Sequence, residues 1–283
     1  MYLRNPIALA TLSLSIVAAL PAAAQSSTEA PDLRGDRVTI GAGVASLPDY
    51  EGSDDSQIAP LGVVIGQVSG IEFWTRGTDL YVDLIPDAPG PGTHFEAGPI
   101  AGVNLNRTGK VDDPQVAALG KLDTAVEVGG FVGISRQGVL TSDYDRLSAR
   151  IAVTADVAGA HDSYVVSPQV AYSTPLSRQT YVSLNLSADY VGKGYGRTYY
   201  DVTPAGSAAS GLSPYAVAGS GFKSVTAGLF GIQSLSGDLL HGLGLGAGVA
   251  YTRILGDYAD SPIVADAGSA DQWLAAVGLS YTF

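Results

Sequence analysis

Three histidines, His94, His161 and His241, stand far apart in a chain of 283 residues that has no cysteine. Zinc is held by His and Cys at short, regular spacings, so these three do not compose a metal site, and each reads as a surface or interfacial residue. Asp54 with Asp55, and Asp257 with Asp260, are better placed: such acid pairs bind a divalent cation or polarise water, unless they are simply solvated acidic turns. No Gly-rich loop carries the lysine of a nucleotide site; the glycines recur inside apolar runs instead. A serine nucleophile needs a positioned base and an orienting group, and no local arrangement supplies them. The reading therefore assigns no catalytic residue, no cofactor and no metal, with a hydrolase built at the rim of a barrel as a competing class.

A second set of ionisable residues is spaced by twos. Arg146, Ser148, Arg150, Ala152, Thr154 and Asp156 alternate with Leu147, Ala149, Ile151, Val153, Ala155 and Val157, and Asp123 and Glu127 alternate with Leu122, Thr124, Val126 and Val128. A period of two places each set on one face of a strand. Glu96 and Asp189 join them as candidate inward charges. Enclosed charges need partners or water, so Arg146 and Arg150 are expected either to pair with Asp123 and Glu127 across an interior or to be solvated in a wet lumen.

The elements that carry these residues read as strands of about ten residues. In the last one Trp273, Ala275, Val277, Leu279, Tyr281 and Phe283 alternate with Gln272, Leu274, Ala276, Gly278, Ser280 and Thr282: one row apolar and aromatic at its ends, the other small or polar. That is the pattern of a wall with lipid on one side and a lumen on the other. Before it, Leu239, His241, Leu243, Leu245, Ala247, Val249 and Tyr251 alternate with Gly242, Gly244, Gly246, Gly248, Ala250 and Thr252. A row of glycines weakens an ordinary strand, but in a closed wall it permits curvature and leaves room for large side chains of neighbouring strands.

Eight more segments complete the set: 37–47, 57–66, 70–75, 78–85, 93–106, 163–176, 180–191 and 223–234. The total is twelve, with ten as the alternative, because the second to fourth are short and interrupted by Pro60, Gly70 and Gly77. Residues 177–179 form a tight connection, whereas 192–213 and 256–271 are long and rich in Gly, Asp and Ser. Tyr164, Tyr172, Tyr181, Tyr190, Tyr251, Trp273 and Tyr281 are candidates for aromatic girdles at the two lipid–water boundaries.

Composition agrees. Charged residues make up 15% of the chain against about 25% in soluble domains, yet beyond the amino terminus no run of eighteen apolar residues exists to form a membrane helix. A closed sheet hides apolar surface in lipid without such runs. At the amino terminus Arg4, the apolar run from Ile7 to Leu20 and Ala22-Ala23-Ala24 have the three-part form of a secretory signal peptide over residues 1–24, followed by a flexible leader over 25–36 and a barrel over 37–283. The formal charge is −12, one unit more negative once Arg4 is removed, which repels nucleic acid. The expected fold is all-β: a single antiparallel transmembrane barrel with outer-membrane lipid as its solvent.

Particular strings go further. Pro48-Asp49-Tyr50-Glu51-Gly52-Ser53-Asp54, then Tyr199-Tyr200-Asp201-Val202-Thr203-Pro204 followed by Ala208-Ala209-Ser210-Gly211-Leu212, then Gly221-Phe222-Lys223-Ser224-Val225, and finally residues 255–264 with Asp257, Asp260, Ser261 and Pro262, together resemble the MltA-interacting protein and OmpV family of outer-membrane proteins. The resemblance runs from near Val38 to Phe283. It departs from the family at Tyr200-Asp201, where many relatives carry Gly in second place. It implies the outer membrane of a Gram-negative bacterium and a non-catalytic role in peptidoglycan upkeep, while Tyr281 and the carboxyl-terminal Phe283 by themselves resemble the terminal strand recognised by the barrel-assembly machinery. The expected partners are a lytic transglycosylase and a penicillin-binding protein. A small-solute channel preferring cations is the alternative. Read from the residues themselves, Tyr50 suits an interfacial anchor, Gly52 a positive φ, and Asp54, Asp257 and Asp260 the bracing of loops.

Overall fold

The computed structural model describes residues 36–86 and 92–283. The expected signal peptide, and all of the expected leader but Asp36, lie outside the described residues. Twelve strands follow in chain order: β1 Arg37–Pro48, β2 Ser56–Val68, β3 Ile71–Arg76, β4 Asp79–Asp83, β5 Thr93–Asn104, β6 Ala125–Gln137, β7 Arg146–Asp156, β8 Tyr164–Pro175, β9 Thr180–Val191, β10 Gly221–Ser234, β11 Gly242–Ile254 and β12 Asp271–Thr282. Each pairs antiparallel with its neighbours in sequence, and β1 closes on β12. No helix among the described residues is long and apolar enough to cross a membrane, and the strands do so instead. Closure satisfies the edge groups that hydrocarbon cannot solvate.

Alternation decides which way each side chain points. The outward row of β12 is exposed to lipid, Trp273 at 64% and Leu279 at 52%, while Gln272 and Thr282 of the inward row are buried. The glycines of β11 face inward as well, and Phe230 of β10 lies over them: a Cβ on Gly248 would stand 3.2 Å from its ring. Tyr164, Tyr190, Tyr251 and Trp273 lie on the outer face at the end where the long connections emerge, with Tyr190 edge-on to Phe222 at 5.3 Å. Tyr172 and Tyr281 mark the other boundary. Tyr181 does not belong to this girdle: it sits in register with Ile232 on an inward row, because β9 turns its odd residues to the lumen.

Both the start of β1 and the end of β12 lie at one end of the barrel, the periplasmic end in an outer-membrane protein. At the opposite end the connections 49–55, 105–124, 157–163, 192–220 and 255–270 carry five short helices: α1 Pro114–Ala118, α2 Lys193–Tyr199, α3 Pro204–Ser210, α4 Gly256–Ala259 and α5 Pro262–Ala265. Their ends are set locally. Asp113 accepts the Val116 N–H ahead of α1, Thr203 accepts the Gly206 N–H ahead of α3, and Gly211 closes α3 at a φ of 78°. Helices this short do not stand alone in water; packing against one another holds them.

Candidate functional site

The interior has two layers. Near mid-barrel, Trp74, Tyr81, Ile100, Phe131 and Ala152 point inward and form a cluster. Trp74 stacks on Tyr81 with ring centres 5.3 Å apart, and Phe131 meets Trp74 edge-on at 5.5 Å. The Arg150 guanidinium lies 4.9 Å from the centre of the Trp74 ring, a cation–π contact that gains strength where water is scarce. Glu96, 2% exposed, accepts from both Arg150 and Arg146, the latter at 2.7 Å. Two arginines on one carboxylate satisfy the buried charge that would otherwise make this layer unstable.

The second layer is the cap over the outer mouth. One cluster gathers Val191, Tyr195, Tyr199, Tyr200, Val217, Ile254, Tyr258 and Val264, and another gathers Tyr50, Val111, Val116, Val202, Leu212, Ile263 and Ala267. Residues from four separate connections, 49–55, 105–124, 192–220 and 255–270, thus share two cores with the ends of β9 and β11. Tyr50 donates its hydroxyl to the Ala267 carbonyl at 2.6 Å, and Ser261 donates to the Tyr200 carbonyl at 2.6 Å. Gly52, at a φ of 99°, donates to the Gln272 side chain, which in turn donates to the Ser53 carbonyl at 2.8 Å.

Cap and wall meet at Glu51. Its carboxylate accepts the hydroxyls of Tyr195 at 2.9 Å and Tyr200 at 3.1 Å and the ammonium of Lys223. Lys223 also lies 3.8 Å from Asp189 and 5.0 Å from the centre of the Tyr195 ring. Burial raises the Tyr195 and Tyr200 hydroxyls well above the ordinary phenol range, with the Glu51 charge adding to it, so both remain donors. Beside this group His161 contacts Glu127 at 3.2 Å, Glu127 accepts from Thr154 at 3.0 Å, and the His161 ring lies 5.2 Å from that of Tyr195.

The family-motif residues Tyr50, Glu51, Gly52, Ser53, Ser261 and Pro262 therefore converge in the cap, although some two hundred residues separate the two strings. Asp257 accepts the Ala218 N–H at 3.2 Å, whereas Asp54 and Asp260 are exposed. Among the described residues no three His, Asp or Glu side chains gather to hold a metal. His94 and His161 are buried, at 6% and 3% exposed, rather than at a surface, because both lie on the enclosed side of the wall or cap. His241 is exposed.

The inward charges are paired differently from the sequence expectation. Arg146 and Arg150 meet Glu96 and not Asp123 or Glu127: β5 lies between them and the short β4, and its inward row brings Glu96 level with them. Asp123 is exposed ahead of β6. Asp156 ends β7 and accepts the N–H groups of Ala158, His161 and Asp162 at 2.9, 2.7 and 3.1 Å, bracing a loop rather than lining an open lumen. Asp189 does face inward, accepting from Ser167 at 2.7 Å. Lys223 escaped the sequence reading because strict alternation sends it outward; the adjacent polar pair Lys223-Ser224 was the signal that the period breaks there. At the carboxyl terminus Tyr281 and Phe283 pack edge-on at 4.9 Å on the outer face, and the Phe283 N–H bonds the Val38 carbonyl at 3.0 Å.

Solved structures similar to this chain are outer-membrane barrels. An outer-membrane channel from Pseudomonas putida F1 is 15% identical with a TM-score of 0.44, over 90% of this chain and 100% of that one. The toluene transporter TodX of Pseudomonas putida is 10% identical with a TM-score of 0.35, over 89% of this chain and 90% of that one. The outer-membrane channel DcaP of Acinetobacter baumannii is 9% identical with a TM-score of 0.37, over 88% and 96%. No curated protein matches the chain. Residues 40–283 match the family described as MltA-interacting protein MipA, and with that share of its length covered, this protein belongs to that family.

Proposed function

We propose that this chain is a non-catalytic interaction protein of the outer membrane, holding a lytic transglycosylase and a penicillin-binding protein at its periplasmic end. One observation carries the reading: the outer mouth is filled by a packed cap whose Tyr199, Tyr200 and Ile263 are at most 1% exposed. A barrel closed on the outside presents its short periplasmic turns as the accessible end. The family description, which names MltA as an interaction partner, supports the same assignment. The test is capture of the two murein enzymes by the barrel purified in detergent, with exchange of the turns at 138–145 and 235–241 for Gly-Ser. Loss of capture in the exchanged barrels supports the reading, and failure of the unaltered barrel to retain either enzyme ends it.

A second reading, a channel for small cations, has its own support in the inward carboxylates of Asp79, Glu127 and Asp189. Conductance of the unaltered barrel in planar bilayers, with cations preferred over anions, would favour it over the scaffold.

A further inference from the structure

We infer that the cap is a gate, latched to the barrel wall by the pairing of buried Lys223 with half-buried Glu51, and that release of this latch connects the lumen to the outside.

The latch starts from an irregularity in β10. Its even residues face the lumen, Ser224 opposite Asp189, while Phe222 pairs with Tyr190 on the outer face, and the register shifts between Phe222 and Ser224. Lys223 is the extra residue of this bulge, and a bulge re-aims the side chain it carries. Avoiding lipid does not explain the turn inward. Phe222 and Tyr190 place this point at the aromatic boundary, where a lysine reaches water by extending its stem. Lys223 is instead 6% exposed, and a buried ammonium persists only where its partners are well placed.

Those partners come from different bodies. Glu51, in the connection after β1, and Tyr195, on α2, belong to the cap; Asp189 belongs to the wall beside Lys223. Glu51 collects the ammonium and the Tyr195 and Tyr200 hydroxyls on one carboxylate, so a single group ties two connections to the wall. The arrangement also has a second state. When Glu51 withdraws, its carboxylate, already 31% exposed, takes up water, while Lys223 keeps Asp189, 3.8 Å away. Neither charge is stranded, which is what a reversible latch requires and a purely structural ion pair does not.

The gate is independent of the murein partners; failure to capture those enzymes leaves it standing. The test uses the full-length mature barrel refolded into lipid, as wild type, E51Q, K223M and K223R, with heat-dependent gel mobility confirming that each barrel is closed. Backbone hydrogen exchange at 49–55 and 193–217 is followed beside single-channel recording. The expected result for E51Q and K223M is exchange in both cap segments about tenfold faster or more, unchanged strand protection, and discrete conducting events absent from wild type and K223R. Unchanged cap exchange, a faster cap without conductance, or loosening spread through the strands each overturns the gate. If K223M does not close, E51Q, which keeps Lys223 and Asp189 together, decides alone.

Discussion

Gly43 and Gly278 face each other across the seam where β1 closes on β12, so closely that a Cβ on Gly43 would stand 2.6 Å from the Cα of Gly278 and 2.2 Å from the Val277 carbonyl oxygen. Both contacts are with backbone, which cannot swing aside as a side chain does. The pairing that closes the barrel therefore depends on two residues without side chains.

Gly43→Val is expected to keep the seam from closing. Overpacking typically costs about 1–3 kcal/mol, and a clash with backbone belongs at the upper end. The variant should lose the compact, heat-sensitive band on a gel run without boiling. Gly62→Ala, at a site with nothing within 4 Å of the added carbon, should keep it.

Arg150 and Glu96 give a test of the inner layer. Breaking a buried pair by removing one member strands the other, at about 3–5 kcal/mol. E96Q, which takes the shared carboxylate from both arginines, should lower the urea-unfolding free energy of the refolded barrel by an amount in that range, and R150M, which leaves Glu96 with Arg146, by less. The double variant E96Q/R150M should recover much of the loss, and a strictly additive double would refute the coupling.

The Tyr50 hydroxyl serves the buried carbonyls of Ala267 and Ile263. Y50F leaves them without this donor, costing about 1–3 kcal/mol, and the loss should be confined to the cap. Protease cleavage within 255–270 should accelerate while the gel shift of the barrel stays as in wild type.

Asp145, in the turn before β7, is wholly buried and accepts the N–H groups of Val139 at 2.6 Å and Leu140 at 2.8 Å and the Tyr172 hydroxyl at 2.9 Å. Burial opposes its charge, but donation from the Thr141, Val139 and Leu140 amides and from Tyr172 outweighs burial and holds the carboxyl below the ordinary range. A depressed folded pKa means that its stabilisation is complete above the unfolded value near 3.9 and is lost as pH falls below it. Amide protection of residues 138–145 should therefore hold from pH 7 to about 5 and decline at lower pH. D145N should be less protected at pH 7 and show a flatter decline.

The barrel itself was legible in the residues because a strand's facing is a local property. With a period of two, Trp273 to Phe283 declares its lipid row without reference to any other segment, and the expected 180–191 strand coincides with β9. The short hairpin of β3 and β4, the weakest part of the pattern, decided between ten and twelve strands. It was settled by the pairing of Trp74 with Tyr81 and of Tyr81 with Ile100.

Pairings between distant segments are another matter. Alternation tells that Arg150 points inward but not which carboxylate lies level with it, since strand order and stagger bring Glu96 there. A bulge is invisible to a strict period, and only the register of β10 against β9 shows Lys223 turned to the lumen. The strings at Tyr50 and Ser261 identified the family, yet their convergence over the mouth comes from closure of the wall, which fixes the feet of four connections close enough to share a core. Period and composition act between neighbours in the chain and so determined the barrel. The latch, the cap and the charge pairs join residues far apart in sequence, and their partners were decided when the sheet closed.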